Sequence, residues 1–183
     1  MTSQNRRAGG HSAAQTLASG PEELEMAMAA RTDSCILLSG NPDAARDLAY
    51  RVHLASGWRQ GAFTVIDCGS GNPGLEDQIL EALFPPQPTR RGVLHLRLVQ
   101  AGTVLLREVN RLPPALQKRL ARQLTEAHLK PSVGKSRRRL MASTSESLTD
   151  RIADGSFDDL LFYRLNVLHF EAPDLEPACN ATL

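Results

Sequence analysis

Aromatic residues are scarce in this chain: two Tyr, five Phe and one Trp make up 4% of 183 residues. So few rings argue against a surface that holds single-stranded nucleic acid by base stacking. Cysteine is rare as well. Cys35, Cys68 and Cys179 lie far apart and form no C-x-x-C pair, so reduced thiols in a cytoplasmic protein are expected rather than a disulfide framework or a zinc site. No apolar run approaches the roughly 20 residues that a membrane helix needs. The start, MTSQNRRAGGHSAAQ, has no apolar signal core, so no membrane association is expected.

Net charge is small, 21 Lys and Arg against 20 Asp and Glu, but it is unevenly placed. Residues 90–139 hold 13 Lys and Arg and only two acids, Glu108 and Glu126, a local charge of +11, while the rest of the chain carries −10. Solvated surface or a charge-matched contact between subunits accounts for this polarity. A nucleic-acid patch would be the other reading. No aromatic residue interleaves the arginines from Arg90 to Arg139, so direct nucleic-acid binding is not expected.

What is present is an ordinary globular composition, 42% hydrophobic and 22% charged, at a length that suits one domain with a single core. Residues 1–20, rich in Gly, Ser, Ala and Gln, read as a flexible lead-in. Residues 21–175 read as the folded domain and 176–183 as a tail. Pro21 suits the first turn of a helix running to about Arg31. Strand patterns follow at Cys35–Ser39, Ala62–Asp67, Thr103–Glu108, Leu140–Ser143 and Asn166–Phe170. Helix patterns separate them at Asp43–Ser56 with Asp43 as N-cap, at Leu75–Phe84, at Pro114–Leu129 and from about Ser147 to Ala153. Apolar strands alternating with helices predict a three-layer α/β domain with a parallel sheet, and place ligand sites at the carboxyl ends of the strands.

The turn after the first strand is where a phosphate cradle belongs. It reads Ser39-Gly40-Asn41-Pro42-Asp43-Ala44-Ala45-Arg46-Asp47. A working P-loop wraps phosphates in glycine N–H groups and reaches them with a lysine. Gly40 fits the first glycine, but Ala45 stands in place of the second and Arg46 in place of the lysine. Pro42 removes a donor and Asp43 brings a negative charge. A plain strand-to-helix turn explains this stretch equally well. In the third strand, Gly102-Thr-Val-Leu-Leu-Arg-Glu-Val109, Glu108 occupies the water-polarising position, and Arg107 the one where a carboxylate would hold Mg²⁺. Gly134-Lys135-Ser136 looks like the end of a P-loop but has no upstream glycine or strand. Gly61-Ala-Phe-Thr64 runs straight into a strand.

In this order the pieces resemble the AAA+ central domain of sigma-54-dependent bacterial transcription activators, over roughly Ser34–Pro173. The most specific match is Gly155-Ser-Phe-Asp-Asp-Leu-Leu-Phe-Tyr-Arg-Leu-Asn-Val167, beside the family's G-x-F-R-E-D-L-Y-Y-R-L-N-V. Ala101–Val109, Leu112–Leu120 and Gly61–Cys68 match three further family segments in the same order. The resemblance implies an AAA+ P-loop NTPase sheet of order 5-1-4-3-2, here without the helical lid, and descent from ring-forming ATPases. It makes Gly40 a P-loop glycine, Glu108 the Walker B glutamate and Arg164 the second finger arginine. Ser145 stands at the sensor position, Asp158 replaces the first finger arginine and Leu160 the Asp of R-E-D. Pro85–Gly92 stands where the sigma-contacting loop belongs.

The expectation is therefore a degenerate domain acting as a pseudo-ATPase interaction module in transcription regulation. Its vestigial pocket comprises Gly40, Ala45, Arg46, Asp47 and Arg107, with Glu108, Ser145 and Arg164 as vestiges of catalysis and no metal. No cofactor is expected, although ATP or ADP held without Mg²⁺ by Arg46 or Arg107 is an alternative, as is weak residual ATPase activity through Glu108. The expected partner is a protein: an AAA+ activator, the sigma-54 machinery or a second copy. Arg164 paired with Asp159, and Trp58 capping the core near the second strand, are the plain structural readings of those residues.

Overall fold

The computed structural model describes residues 21–84, 102–129 and 138–172. Five strands, β1 (Ile36–Gly40), β2 (Ala62–Asp67), β3 (Gly102–Arg107), β4 (Arg138–Thr144) and β5 (Leu168–Ala172), form one sheet in the order β2-β3-β4-β1-β5. Every pairing is parallel. The helices are α1 (Pro21–Arg31), α2 (Pro42–Ala55), α3 (Leu75–Leu83), α4 (Pro114–Leu129), α5 (Leu148–Ala153) and α6 (Asp159–Leu165). A 3₁₀ turn, Val109–Arg111, follows β3.

Side chains alternate across each strand, so one apolar sequence supplies two cores. Leu37, Val104, Leu106, Leu140 and Ala142 face α3–α6, where Ile79, Leu120, Leu161 and Leu165 meet them. Ile36, Leu38, Leu105 and Met141 face the other way, against Ala29 and Ala30 of α1 and Ala45, Ala49 and Val52 of α2. The central strands β1, β3 and β4 are buried on both faces, whereas β2, at the sheet edge, is largely exposed.

Several boundaries differ from the sequence reading. Helix α2 begins at Pro42 with Asn41, not Asp43, as its N-cap. Strand β3 ends at Arg107, because Glu108 turns into the left-handed region at φ 57° and opens the 3₁₀ turn. The hydrophobic periodicity does not reveal helix α6. It is only seven residues long, and Asp158 caps it by accepting from the Leu161 N–H. Asn166 ends that helix, so β5 starts at Leu168, two residues later than the apolar run suggested. Trp58 does not simply cap the core: it lies against the buried guanidinium of Arg139. Burial pushes the thiols of Cys35 and Cys68 up to about 12, so neither is a thiolate at neutral pH. The residues 134–136 and 85–92 discussed above, and Cys179, lie outside the described residues.

At the amino end of the sheet, buried His53 exchanges a 2.9 Å hydrogen bond with Thr103 of β3. Burial, and then the charge of Arg139, lower its pKa below the ordinary 6.5. The folded chain therefore resists a proton that the unfolded chain takes up near pH 6.5, and stability falls as pH drops through that range towards the lower folded value. His53→Gln keeps a hydrogen-bonding side chain and removes the titration. Urea midpoints at pH 7 and pH 5 should fall less in the variant than in the wild type; an equal fall in both would remove His53 from the account.

Candidate nucleotide site

The carboxyl ends of β1, β3 and β4 converge where the strand order changes direction, the position at which parallel α/β sheets hold ligands. Only Asn41 separates the end of β1 from the start of α2. Its side-chain oxygen accepts from the amides of Asp43 and Ala44, at 3.0 and 3.2 Å. Its carbonyl accepts from Ala45 N–H at 2.9 Å. Pro42 has no N–H to offer. The amides with which a helix N-terminus would grip an anion are all engaged by one residue.

Gly40 is explained by packing. Its φ is +112°, and a Cβ there would meet the Ala172 carbonyl oxygen at 2.8 Å, so glycine lets β5 approach β1. Ala45 is fully buried in the α2-side core. Arg46 is half-exposed and lies on the carboxylate of the adjacent Asp47, at 3.0 Å. Arg107, at the end of β3, reaches across to Asp43 with a 3.2 Å ion pair. Its cross-strand neighbour in β2 is a second carboxylate, Asp67. The two guanidiniums that could hold phosphate are thus both paired with carboxylates of the chain.

Glu108 is nearly buried and accepts a 2.6 Å hydrogen bond from Ser145, just beyond β4. Arg111 stands 3.9 Å from the same carboxylate oxygen. The resemblance placed Glu108 and Ser145 in one site, and the structure joins them directly. Arg164 lies on α6 and donates to the Thr125 hydroxyl of α4 at 3.2 Å. The expected pairing with Asp159 is not seen: that carboxylate accepts from its neighbour, the Leu160 N–H.

Beside these residues a cleft of about 370 Å³ is lined by Ser39, Gly40, Ser145, Glu146, Asn166 and His169, among others. Ser39 and His169 share a 2.8 Å hydrogen bond across β1 and β5. Sequence reasoning missed this pair, because the two residues are 130 positions apart. The assignment of Asp43 as N-cap overlooks Asn41, although Asn followed by Pro is a strong N-cap and first-turn signal. Several of the described bases of the 90–139 segment are also engaged. Arg107 pairs with Asp43, Arg119 with Glu76, and Arg139 is buried, leaving Lys118 and Arg122 exposed on α4. Among the described residues no group of three or more His, Cys, Asp or Glu could hold a metal, and no helix is long and apolar enough to cross a membrane.

A parallel sheet of this strand order, with its polar residues gathered at the carboxyl ends of β1, β3 and β4, is that of an AAA+ P-loop NTPase domain. Residues 21–171 match the sigma-54 interaction domain, and the chain belongs to that family. It is 35% identical over 166 residues to the acetoin catabolism regulatory protein of Cupriavidus necator, spanning 84% of this chain and 25% of that protein. It is 32% identical over 148 residues to the pathogenicity locus probable regulatory protein HrpS of Pseudomonas savastanoi, spanning 76% and 49%. The chain thus covers between a quarter and a half of these relatives. NtrX of Brucella abortus, solved in complex with ADP, superposes with a TM-score of 0.63 at 27% identity, over 83% of this chain and 35% of that one. The P-loop NTPase domain of an Escherichia coli sigma-54 activator shares the fold at a TM-score of 0.58 and 20% identity, over 85% and 94%.

Replacing Asn41 with Ala removes the side-chain acceptor of two first-turn amides. The expected loss is about 1 kcal/mol of unfolding free energy, read from urea denaturation. An unchanged midpoint would show that water replaces the cap without loss.

Proposed function

We propose that this domain acts in sigma-54-linked transcription regulation as a protein-docking module that does not turn over ATP. The observation that carries this reading is the closed turn after β1, where Asn41 engages the first amides of α2 and Asp43 engages Arg107. The residues present do not fit a Mg²⁺–nucleotide. A lysine is missing from the turn, the metal position holds Arg107, whose fixed charge repels a cation, and Asp43 would face the polyanion. The first finger position is Asp158, which caps α6. Losing a finger arginine alone removes about 10³–10⁵ in phosphoryl-transfer rate.

Docking is supported by the surface of α6 and the residues after it. Leu160, Tyr163 and Val167 are 46%, 71% and 55% exposed, an apolar patch on the segment that most resembles the family. An intact AAA+ activator domain is the partner this reading favours, over sigma-54 machinery or a second copy. The second reading is ATP or ADP held without Mg²⁺ through Arg107 or Arg46, and it requires each guanidinium to leave its carboxylate first.

Phosphate release from Mg²⁺–ATP should stay at background for both the wild type and Glu108→Gln. Turnover that Glu108→Gln abolishes would instead establish an active ATPase. In a pull-down with an intact activator AAA+ domain, Tyr163→Ala should weaken capture at least about tenfold, as loss of an exposed aromatic anchor does. Equal capture of both forms would place the docking surface elsewhere.

A further inference from the structure

Arg139, the second residue of β4, is 1% exposed. A buried guanidinium is costly unless its donors are engaged. Its Nη2 donates to the Ala29 carbonyl in the last turn of α1, where a cation also meets the negative end of the helix dipole. Its carbon lies 5.4 Å from the centre of the Trp58 ring. Its Nε and Nη1 have no hydrogen-bond partner among the described residues.

Among the described side chains of α1 the apolar contact with the core is small, and it is shared with α2 as well as the sheet. Ala29 and Ala30 are buried, Met26 is partly buried, and Met28 is 62% exposed. Two alanine side chains bury little apolar area compared with the leucines and isoleucines that hold α3–α6 on the opposite face. Arg139 adds a charge-assisted hydrogen bond to that small apolar contact. That cation is itself only partly satisfied, which weakens the docking of α1.

We infer that α1 is a detachable clamp, pinned to the sheet by the buried Arg139 guanidinium, which opens as a unit while the five strands stay paired. Opening returns Nε and Nη1 of Arg139 to water and uncovers the part of the apolar face that α1 shares with α2, leaving an apolar strip beside the cation. An apolar strip ending in a cation is a seat for the carboxyl end of a helix, and the helix that fits it is α1. The pin sits at the start of β4, and Ser145, which holds Glu108, follows the end of the same strand. This inference is independent of whether the nucleotide site is closed.

Amide hydrogen exchange on the whole chain, followed by peptide mass spectrometry, tests it. In the wild type, amides of residues 27–31 should exchange at least a hundredfold faster than those of β1, β3 and β4. Arg139→Met removes the pin, and α1 should lose at least a further tenfold of protection while the sheet changes less. Ala30→Lys, which leaves Arg139 intact and puts a second cation into the apolar contact, should release α1 in the same way. Trp58 is the only tryptophan, so its emission should shift in both variants. Exchange of α1 together with the sheet in the wild type, or unchanged α1 protection in both variants, would overturn the inference.

Discussion

One residue of chain, Asn41, carries the backbone from the central strand into the helix that covers it, and much of the site follows from that economy. A loop long enough to wrap phosphates would leave the first amides of α2 free to point into it. With a single intervening residue those amides fold back onto Asn41 itself, and Pro42 fixes the entry angle. The same geometry brings Asp43 to the carboxyl edge of the sheet, within reach of Arg107 on β3. Gly40 completes the arrangement by letting the β5 backbone close against β1.

Charge is thereby redistributed rather than removed. A phosphate site balances a polyanion with a lysine, a metal and helix amides. Here an internal ion pair spans the two sides of the same position, and Glu108 retains a hydroxyl donor, Ser145, as its partner. Exposed pairs of this kind contribute little stability. Their consequence is chemical: Arg46 and Arg107 each already face a carboxylate of the chain, while Oε1 of Glu108 has no hydrogen-bond partner among the described residues.

The α/β order of the fold was legible because long elements declare their period. Leu116, Leu120 and Leu124 mark α4 by their four-residue spacing, and the apolar runs of β1, β3 and β4 mark strands buried on both faces. Short or capped elements were less legible. Helix α6 spans two turns and is defined by Asp158 and Asn166 at its ends rather than by a stripe. The Arg137-Arg138-Arg139 run looks like solvated surface, yet alternation along β4 turns Arg139 into the core. Glu108 and Ser145 could be placed together only through the resemblance. The pairing of Asp43 with Arg107, 64 positions away, leaves no local pattern in the sequence.

On the proposed function, the first amides of α2 stay bonded to Asn41 and closed to phosphate. Backbone amide NMR of the whole chain, titrated with ATP and ADP with and without Mg²⁺, reads those amides directly. The Asp43 and Ala44 resonances should remain in place at millimolar nucleotide, because Asn41 keeps both donors. Saturable shifts of both amides would mean that the cap opens for phosphate, and would make this domain a nucleotide-binding one.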